Sequence, residues 1–416
     1  MVGAARLPLM MDSRPPSRAR VAAVLDMGAT AIRLVIAEIG AEGRTRVLEE
    51  ASRGVLLGSD TFAGGVIRPR TADAAFAALE GFRQIMDGYG VAEVRAVATS
   101  AVREARNGDL FLDRVQARAS IRFDIINEAE EARLLYLAVR ESLRRHPAMK
   151  GAWTLLAEVG GGSTSLTLLR YGQPERSGVY ALGSVRFRQR LDLHRLGHEV
   201  QMSVLRRVVA NVIDEIRAEI PLHKVTQMIG VGGDLRFAAS QIQAQEGNDE
   251  AREVPRDALM GFASDIQSLD DDALVSTYRL RAVEADTLTT SMLIYSTLLG
   301  ETAARRVVVS DASLRAGLLI DLAAPEGQVA AADFEQQVLA SAEALGSRFR
   351  FDREHGRHVA SLATRLFDEL LDEHQLGRRE RLLLQTAALL HDVGIHIGLR
   401  SHHKHSQYMQ IGRAHV

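Results

Sequence analysis

Glu158 stands just ahead of three glycines and two hydroxyl residues, Gly160, Gly161, Gly162, Ser163 and Thr164, in the stretch Trp153–Leu169 (WTLLAEVGGGSTSLTLL). Apolar runs of strand length flank the glycines, so the stretch reads as a strand, a tight turn and a returning strand. Glycines let the backbone approach a ligand closely and turn its N–H groups toward an anion. The hydroxyls add donors. Holding phosphate is the chemistry this suits; an ordinary hairpin turn is the alternative. No Gly-Lys-Ser/Thr follows, which excludes a Walker A loop. No helix opens directly after the glycines, which excludes a dinucleotide fingerprint.

A second stretch has the same plan. Val21–Ile39 (VAAVLDMGATAIRLVIAEI) runs an apolar strand into Asp26, turns through Gly28 and Thr30, and returns as a second apolar strand. A duplicated strand, acid, glycine turn and strand resembles the actin-like, ribonuclease-H-like ATPase and phosphatase superfamily. That resemblance implies two similar α/β domains facing each other across a cleft, each offering a phosphate-binding hairpin.

Further stretches narrow it. Ala98–Asn107 (ATSAVREARN), Glu130–Tyr136 (EEARLLY), Ala181–Arg186 (ALGSVR) and Ser310–Leu318 (SDASLRAGL) resemble motifs of the exopolyphosphatase / guanosine pentaphosphate phosphohydrolase (Ppx/GppA) family, in the family's order. The resemblance implies hydrolysis of phosphoanhydride bonds in inorganic polyphosphate or guanosine pentaphosphate. Asp26 and Glu158 would hold Mg2+. Gly28, Thr30, Gly160–Thr164 and the second glycine loop, Gly232 and Gly233, would cradle phosphates. Arg103 would contact phosphate, and Glu131 would activate the attacking water. Local reasoning supplies a blander alternative for Arg103, which can pair on the surface with Glu104 or Glu128. Asn127 with Glu130 three residues on is a capping pattern, which accounts for Glu130; Glu131 is the position at which the resemblance implies the water-activating carboxylate.

Toward the C-terminus, Ala387–Ser406 (AALLHDVGIHIGLRSHHKHS) looks like the family's helical domain. His391 and Asp392 after an apolar helix, with His355 upstream, have the form of an HD-type metal domain. Neutral imidazole and carboxylate suit a divalent metal. In the family this region often mediates dimers, which implies a homodimer.

The chain departs from the family pattern at the site itself. Ala29-Thr30-Ala31 stands where Ser-Asn-Ser is usual. Glu158 replaces aspartate, Ser165 replaces glutamate, and Asp234 replaces threonine after the second glycine loop. Two functions from different classes therefore stay open: the hydrolase, and a degenerate member that binds polyphosphate or a phosphorylated nucleotide as a sensor. A nucleotide kinase of the superfamily is a more distant third.

The elements that must position these residues follow from periodicity and punctuation. Strands are expected at Val47–Val55, Val94–Thr99, Ile121–Ile126, Ser177–Tyr180, Val225–Gly230 and Arg306–Val309. Helices are expected at Thr71–Gly88 capped by Thr71, at Ser100 with Arg103, at Asp109–Arg118, at Ala129–Arg145 capped by Asn127, and at Val200–Glu219. Others open at Asp234 and at Pro255, and run over Ala285–Leu299 and Ser313–Leu322, the last returning to the first domain. Arg186, Arg188 and Arg190 alternate, as a polyanion path or a solvated face would. The expected fold class is α/β: two actin-like (ribonuclease-H-like) ATPase-type domains with a cleft between, at 21–147 and 151–322. An incomplete HD-like all-α domain follows at 330–410, after the linker Ala323–Gly327.

Residues 1–20 are expected to be a disordered leader. Ile411–Val416 (IGRAHV) matches the translation of a common sequencing adapter, so the natural chain is expected to break off near Gln410. The chain has 416 residues, is 46% hydrophobic and carries a formal charge of −2. That charge gives no basic field for nucleic acid. Zero cysteines exclude a thiol nucleophile and a disulfide framework and fit a cytoplasmic location. No apolar run reaches membrane-span length.

Overall fold

In the computed structural model, which describes residues 19–40, 43–190, 197–246, 253–324 and 331–411, the two glycine hairpins head two sheets of the same plan. The first sheet uses β1 (Arg20–Met27), β2 (Ala31–Ile39), β3 (Thr45–Gly54), then α1 (Leu57–Gly64) and α2 (Pro69–Gly88). Then come β4 (Glu93–Ala98), α3 (Ser100–Arg103), α4 (Gly108–Ala119), β5 (Phe123–Ile125) and α5 (Glu128–Ser142). Its strand order is β3-β2-β1-β4-β5.

The second sheet is built from β6 (Thr154–Val159), β7 (Thr164–Arg170), β8 (Gln173–Tyr180), α6 (Ser184–Arg190), α7 (His198–Glu219), β9 (Gln227–Val231) and α8 (Gly233–Glu246). It continues with β10 (Glu253–Pro255), α9 (Arg256–Ser268), α10 (Asp271–Tyr278), α11 (Ala282–Gly300), β11 (Arg306–Ser310) and α12 (Leu314–Ala323). Its order, β10-β11-β9-β6-β7-β8, reproduces the first with one extra edge strand. In each sheet the leading hairpin is antiparallel and the next strand pairs in parallel. A helical region follows: α13 (Ala331–Arg348), α14 (Arg353–Glu369), α15 (Leu371–His374), α16 (Arg378–Leu389) and α17 (His402–Ile411).

Alternation along the strands decides where the acids go. On β1, Ala23, Leu25 and Met27 face one core while Val24 faces another. Asp26, in step with Val24, shares that second face. On β6, Leu155, Ala157 and Val159 join one core and Leu156 the other, so Glu158 falls with Leu156. Helix α5 packs against both of these second faces. Leu134 meets the first sheet together with Leu314, Leu318 and Leu319 of α12. Leu135, Tyr136, Ala138 and Val139 meet the second sheet. One helix thus wedges between two sheets, and both acids point toward it.

Several elements differ from the sequence expectation. Helix α2 begins at Pro69, not Thr71, because proline suits the first helical position. Pro255 ends β10 and caps α9 from outside, so the helix starts at Arg256. Arg20, expected in the leader, opens β1 and pairs with Ile39. Helix α1 was not expected; two glycines and weak amphipathicity hide it. Asn127 does accept from Glu130 N at 2.9 Å, but the Glu130 carboxylate holds Arg133 instead of closing a capping box. Arg186 and Arg188 line no polyanion path. They are buried, paired with Glu104 and Asp271. The leader up to residue 18, most of the expected linker and residues 412–416 lie outside the described residues, as does the Arg190 side chain.

Close backbone contact fixes α12 on α5. A Cβ built on Gly317 would stand 2.0 Å from the Leu134 carbonyl oxygen. Gly317→Ala is therefore expected to lower the urea midpoint by an amount worth about 1–3 kcal/mol. Gly81→Ala, on α2 with open space around it, should gain about 0.5–1 kcal/mol. Equal effects of the two substitutions would refute the packing.

Candidate active site

Both glycine turns close the same way. Gly28 N donates to Ala31 O at 3.1 Å, and Gly160 N donates to Ser163 O at 2.9 Å. The turns also meet each other. A Cβ on Gly161 would lie 3.1 Å from the Ala29 Cβ and 3.3 Å from the Thr30 methyl. One on Gly162 would lie 2.2 Å from Ser100 Oγ. Only glycine allows this approach of two hairpins and the start of α3. Arg186 locks it: its guanidinium bonds Gly162 O and the Glu104 carboxylate and lies 4.3 Å over the Phe62 ring.

Behind the turns opens a cavity of about 250 Å3, room for a few phosphoryl groups but not for a folded partner. Asp26, Glu131 and Glu158 line it, with Gly28, Thr30, Gly160–Gly162, Ser163, Gly232 and Gly233. Gly232 has a φ of 139°, so glycine is required there. Three arginines that sequence reasoning did not select also line it: Arg33, Arg236 and Arg315. Arg33 sits opposite Asp26 in the hairpin register, 3.7 Å away. Arg315, at the start of α12, ion-pairs with Asp26 from the other side. The starts of α8 and α12 face the cavity as well, and helix N-termini favour anions.

Two expected site residues stand elsewhere. Thr164 is buried on the inward face of β7 and donates to Leu182 O. The neighbouring Ser165, opposite Glu158 in register, faces the cavity instead. Arg103 is turned from the cavity: Nη1 donates to Ile126 O at 2.8 Å and Nη2 to Glu128 at 3.4 Å. It stands 4.0 Å from Glu131 Oε2.

The carboxylates line one cavity together and their charges act on one another. Glu131 Oε2 is buried, and among the described residues nothing donates a hydrogen bond to it. Burial pushes Glu131 up to about 7, against the pull of Arg103 and with the help of Asp26. Burial first, then Glu131 and Asp26, pushes Glu158 up to about 8. Asp234, the replaced residue after the second glycine loop, is held by Ser291 and Thr287, and burial raises it too. Oxygen donors only, several in number, with one buried oxygen unpartnered, fit a hard divalent cation such as Mg2+. Asp26 and Glu158 are the residues that would hold it. His355, His391 and Asp392 come together far from this cavity.

Comparison with known proteins agrees with this geometry. The model of the Ppx/GppA phosphatase family matches residues 35–326. The chain belongs to this family. The family's domain III model matches residues 339–411. A guanosine-5'-triphosphate,3'-diphosphate pyrophosphatase of Pseudoalteromonas atlantica is 22% identical over 391 residues, 93% of this chain and 74% of that one. An exopolyphosphatase structure from Cytophaga hutchinsonii superposes with a TM-score of 0.66 at 21% identity, covering 73% of this chain and 98% of that one. The Aquifex aeolicus family member gives 0.61 at 21% identity, covering 75% and 100%. At such identities the structures show a shared fold. The C-terminal helices are accordingly the family's third domain. No described helix is long and apolar enough to cross a membrane.

The raised carboxyls have a stability consequence. The unfolded chain releases these protons near 4.5, while the folded protein keeps them to about 7 and 8. Their contribution is full below about pH 4.5 and is lost as pH rises through 7–8. Without divalent cation, the free energy of unfolding should fall between pH 5 and 8, by at most about 1.4 kcal/mol per pH unit for each group, and the melting temperature with it. Glu158→Gln should flatten that slope. A slope that the substitution leaves unchanged would contradict the assignment.

Proposed function

We propose that the chain hydrolyses terminal phosphoanhydride bonds of guanosine pentaphosphate or polyphosphate, with Glu131 as the general base. The observation that carries this is Glu131 Oε2: buried, without a hydrogen bond among the described residues, 4.0 Å from the Arg103 guanidinium, and at the cavity that both glycine turns line. Water attacks the terminal phosphorus, its proton passes to Glu131 Oε2, and the bridging P–O bond breaks with the electron pair going to the oxygen of the shortened chain, so that the terminal group is released as inorganic phosphate. Arg33, Arg236 and Arg315, with the backbone N–H groups of the turns, neutralise and orient the chain of phosphates. Mg2+ bound by Asp26 and Glu158 would add charge neutralisation on the transferring group. A base with a pKa of about 7 is matched to neutral pH.

A second cavity of about 740 Å3 shares Thr30, Arg33, Gly233, Asp234 and Thr287 with the first. Phe237, Tyr278 and Leu280 wall it. Aromatic walls beside a phosphate cradle suit a nucleoside, which favours guanosine pentaphosphate over bare polyphosphate. The sensor reading draws on Asp26, whose carboxylate is engaged by Arg315, and on the acidic Asp234 in the cavity wall.

Phosphate release with Mg2+ tests both. The hydrolase reading expects turnover of guanosine pentaphosphate, a rate that rises with pH and levels off, and a loss of about 10²–10⁴-fold in kcat for Glu131→Gln. Tyr278→Ala should raise KM for the nucleotide and leave polyphosphate unaffected. Tight binding without turnover would establish the sensor; unchanged kcat in Glu131→Gln would remove the base.

A further inference from the structure

The third domain gathers four side chains that the cleft chemistry does not use. His355 lies in the first turn of α14, His391 and Asp392 follow α16, and His402 opens α17. His355 Nε2 is 3.6 Å and His391 Nε2 3.3 Å from the same oxygen, Asp392 Oδ2. His402 Nε2 is 3.3 Å from the other, Oδ1. Ligand atoms of His355, His391 and Asp392 all lie within 4.8 Å of one another.

The hydrogen bonds behind the rings show what this cluster needs. His391 Nδ1 is 2.7 Å from Ala388 O. A carbonyl oxygen can only accept, so Nδ1 carries the proton. In the neutral ring Nε2 then presents its lone pair to an anionic oxygen, which repels it unless a cation stands between them. Protonating the ring would also satisfy the contact. But His355 faces the same oxygen with its ring centroid 5.3 Å from that of His391, so two imidazolium charges would be crowded on one carboxylate oxygen. A single metal ion relieves both conflicts. His402, with Nδ1 3.2 Å from Leu399 O and Nε2 beside Oδ1, stands behind the carboxylate and holds it in place, as partners behind metal ligands do.

We propose that His355 Nε2, His391 Nε2 and Asp392 Oδ2 bind one transition-metal dication of the zinc, cobalt or manganese kind, distinct from the hard cation of the cleft. Two imidazoles with one carboxylate suit such ions over Mg2+. Three protein ligands leave coordination positions open to water, on the half-exposed side of His355. The ion ties α14, the turn after α16 and α17 to one point, so binding stabilises the third domain by mass action.

Co2+ titration of the full-length, metal-stripped protein tests this by its visible absorption, with metal content counted in parallel. The expected result is one Co2+ with a ligand-field band that Zn2+ displaces and Mg2+ does not, and a melting temperature raised by Zn2+. Asp392→Asn and His355→Gln should abolish the band, and His402→Ala should weaken binding at least about tenfold. His355→Gln decides should Asp392→Asn fail to fold, since His355 is half exposed. Asp26→Asn should keep the band, which separates this site from the cleft. No Co2+ band, or a band that survives His355→Gln, would overturn the proposal.

Discussion

Three carboxylates, Asp26, Glu131 and Glu158, share one cavity, and the rest of the structure answers the repulsion among them. Like charges in a low-dielectric site cannot all ionise without counter-charge. Three arginines, the starts of two long helices and the glycine turns supply part of that charge. Protons supply more: burial first, with the neighbouring Asp26 charge added, makes Glu131 and Glu158 hold theirs to about 7 and 8. A divalent cation and a bound phosphate chain would together replace those protons. The same crowding that costs stability at neutral pH is what makes the cavity receptive to a metal–polyanion pair.

Helix α5 turns two sheets into one site. Because it packs on both second faces, the pleat of β1 and the pleat of β6 each aim an acid at its first turn, where Glu131 sits. Arg133, further along α5, bonds Glu130 and Asp321 and so ties this helix to α12, whose first turn carries Arg315. Glu131 and Arg315 are thus both set by one pair of packed helices.

Much of this was legible in the sequence because it is local. Acid, glycine turn and returning strand lie within a few residues of each other, so both hairpins and the cavity-facing acids Asp26 and Glu158 could be read directly. Arg33 was within reach too: a two-residue turn places it opposite Asp26. Arg315 was not, because its contact with Asp26 spans nearly the whole of both sheets. Thr164 and Ser165 show a finer limit. The pleat sends one inward and the other to the cavity, and composition cannot say which; only register does. Helix α1 was hidden by glycines that the site needs for close contact, since Gly58 N donates to Ala29 O and holds the first turn.

The compensation of buried carboxyls by cation and phosphate is most directly tested by calorimetric titration of Mg2+ with inorganic phosphate into the protein near pH 7, in buffers of different ionisation enthalpy. Protons bound by Glu131 and Glu158 should be released as the cation enters, so the apparent enthalpy should vary with the buffer, and the variation should shrink in Glu158→Gln. Binding with the same enthalpy in every buffer would mean that these carboxyls are already ionised, and would contradict the account.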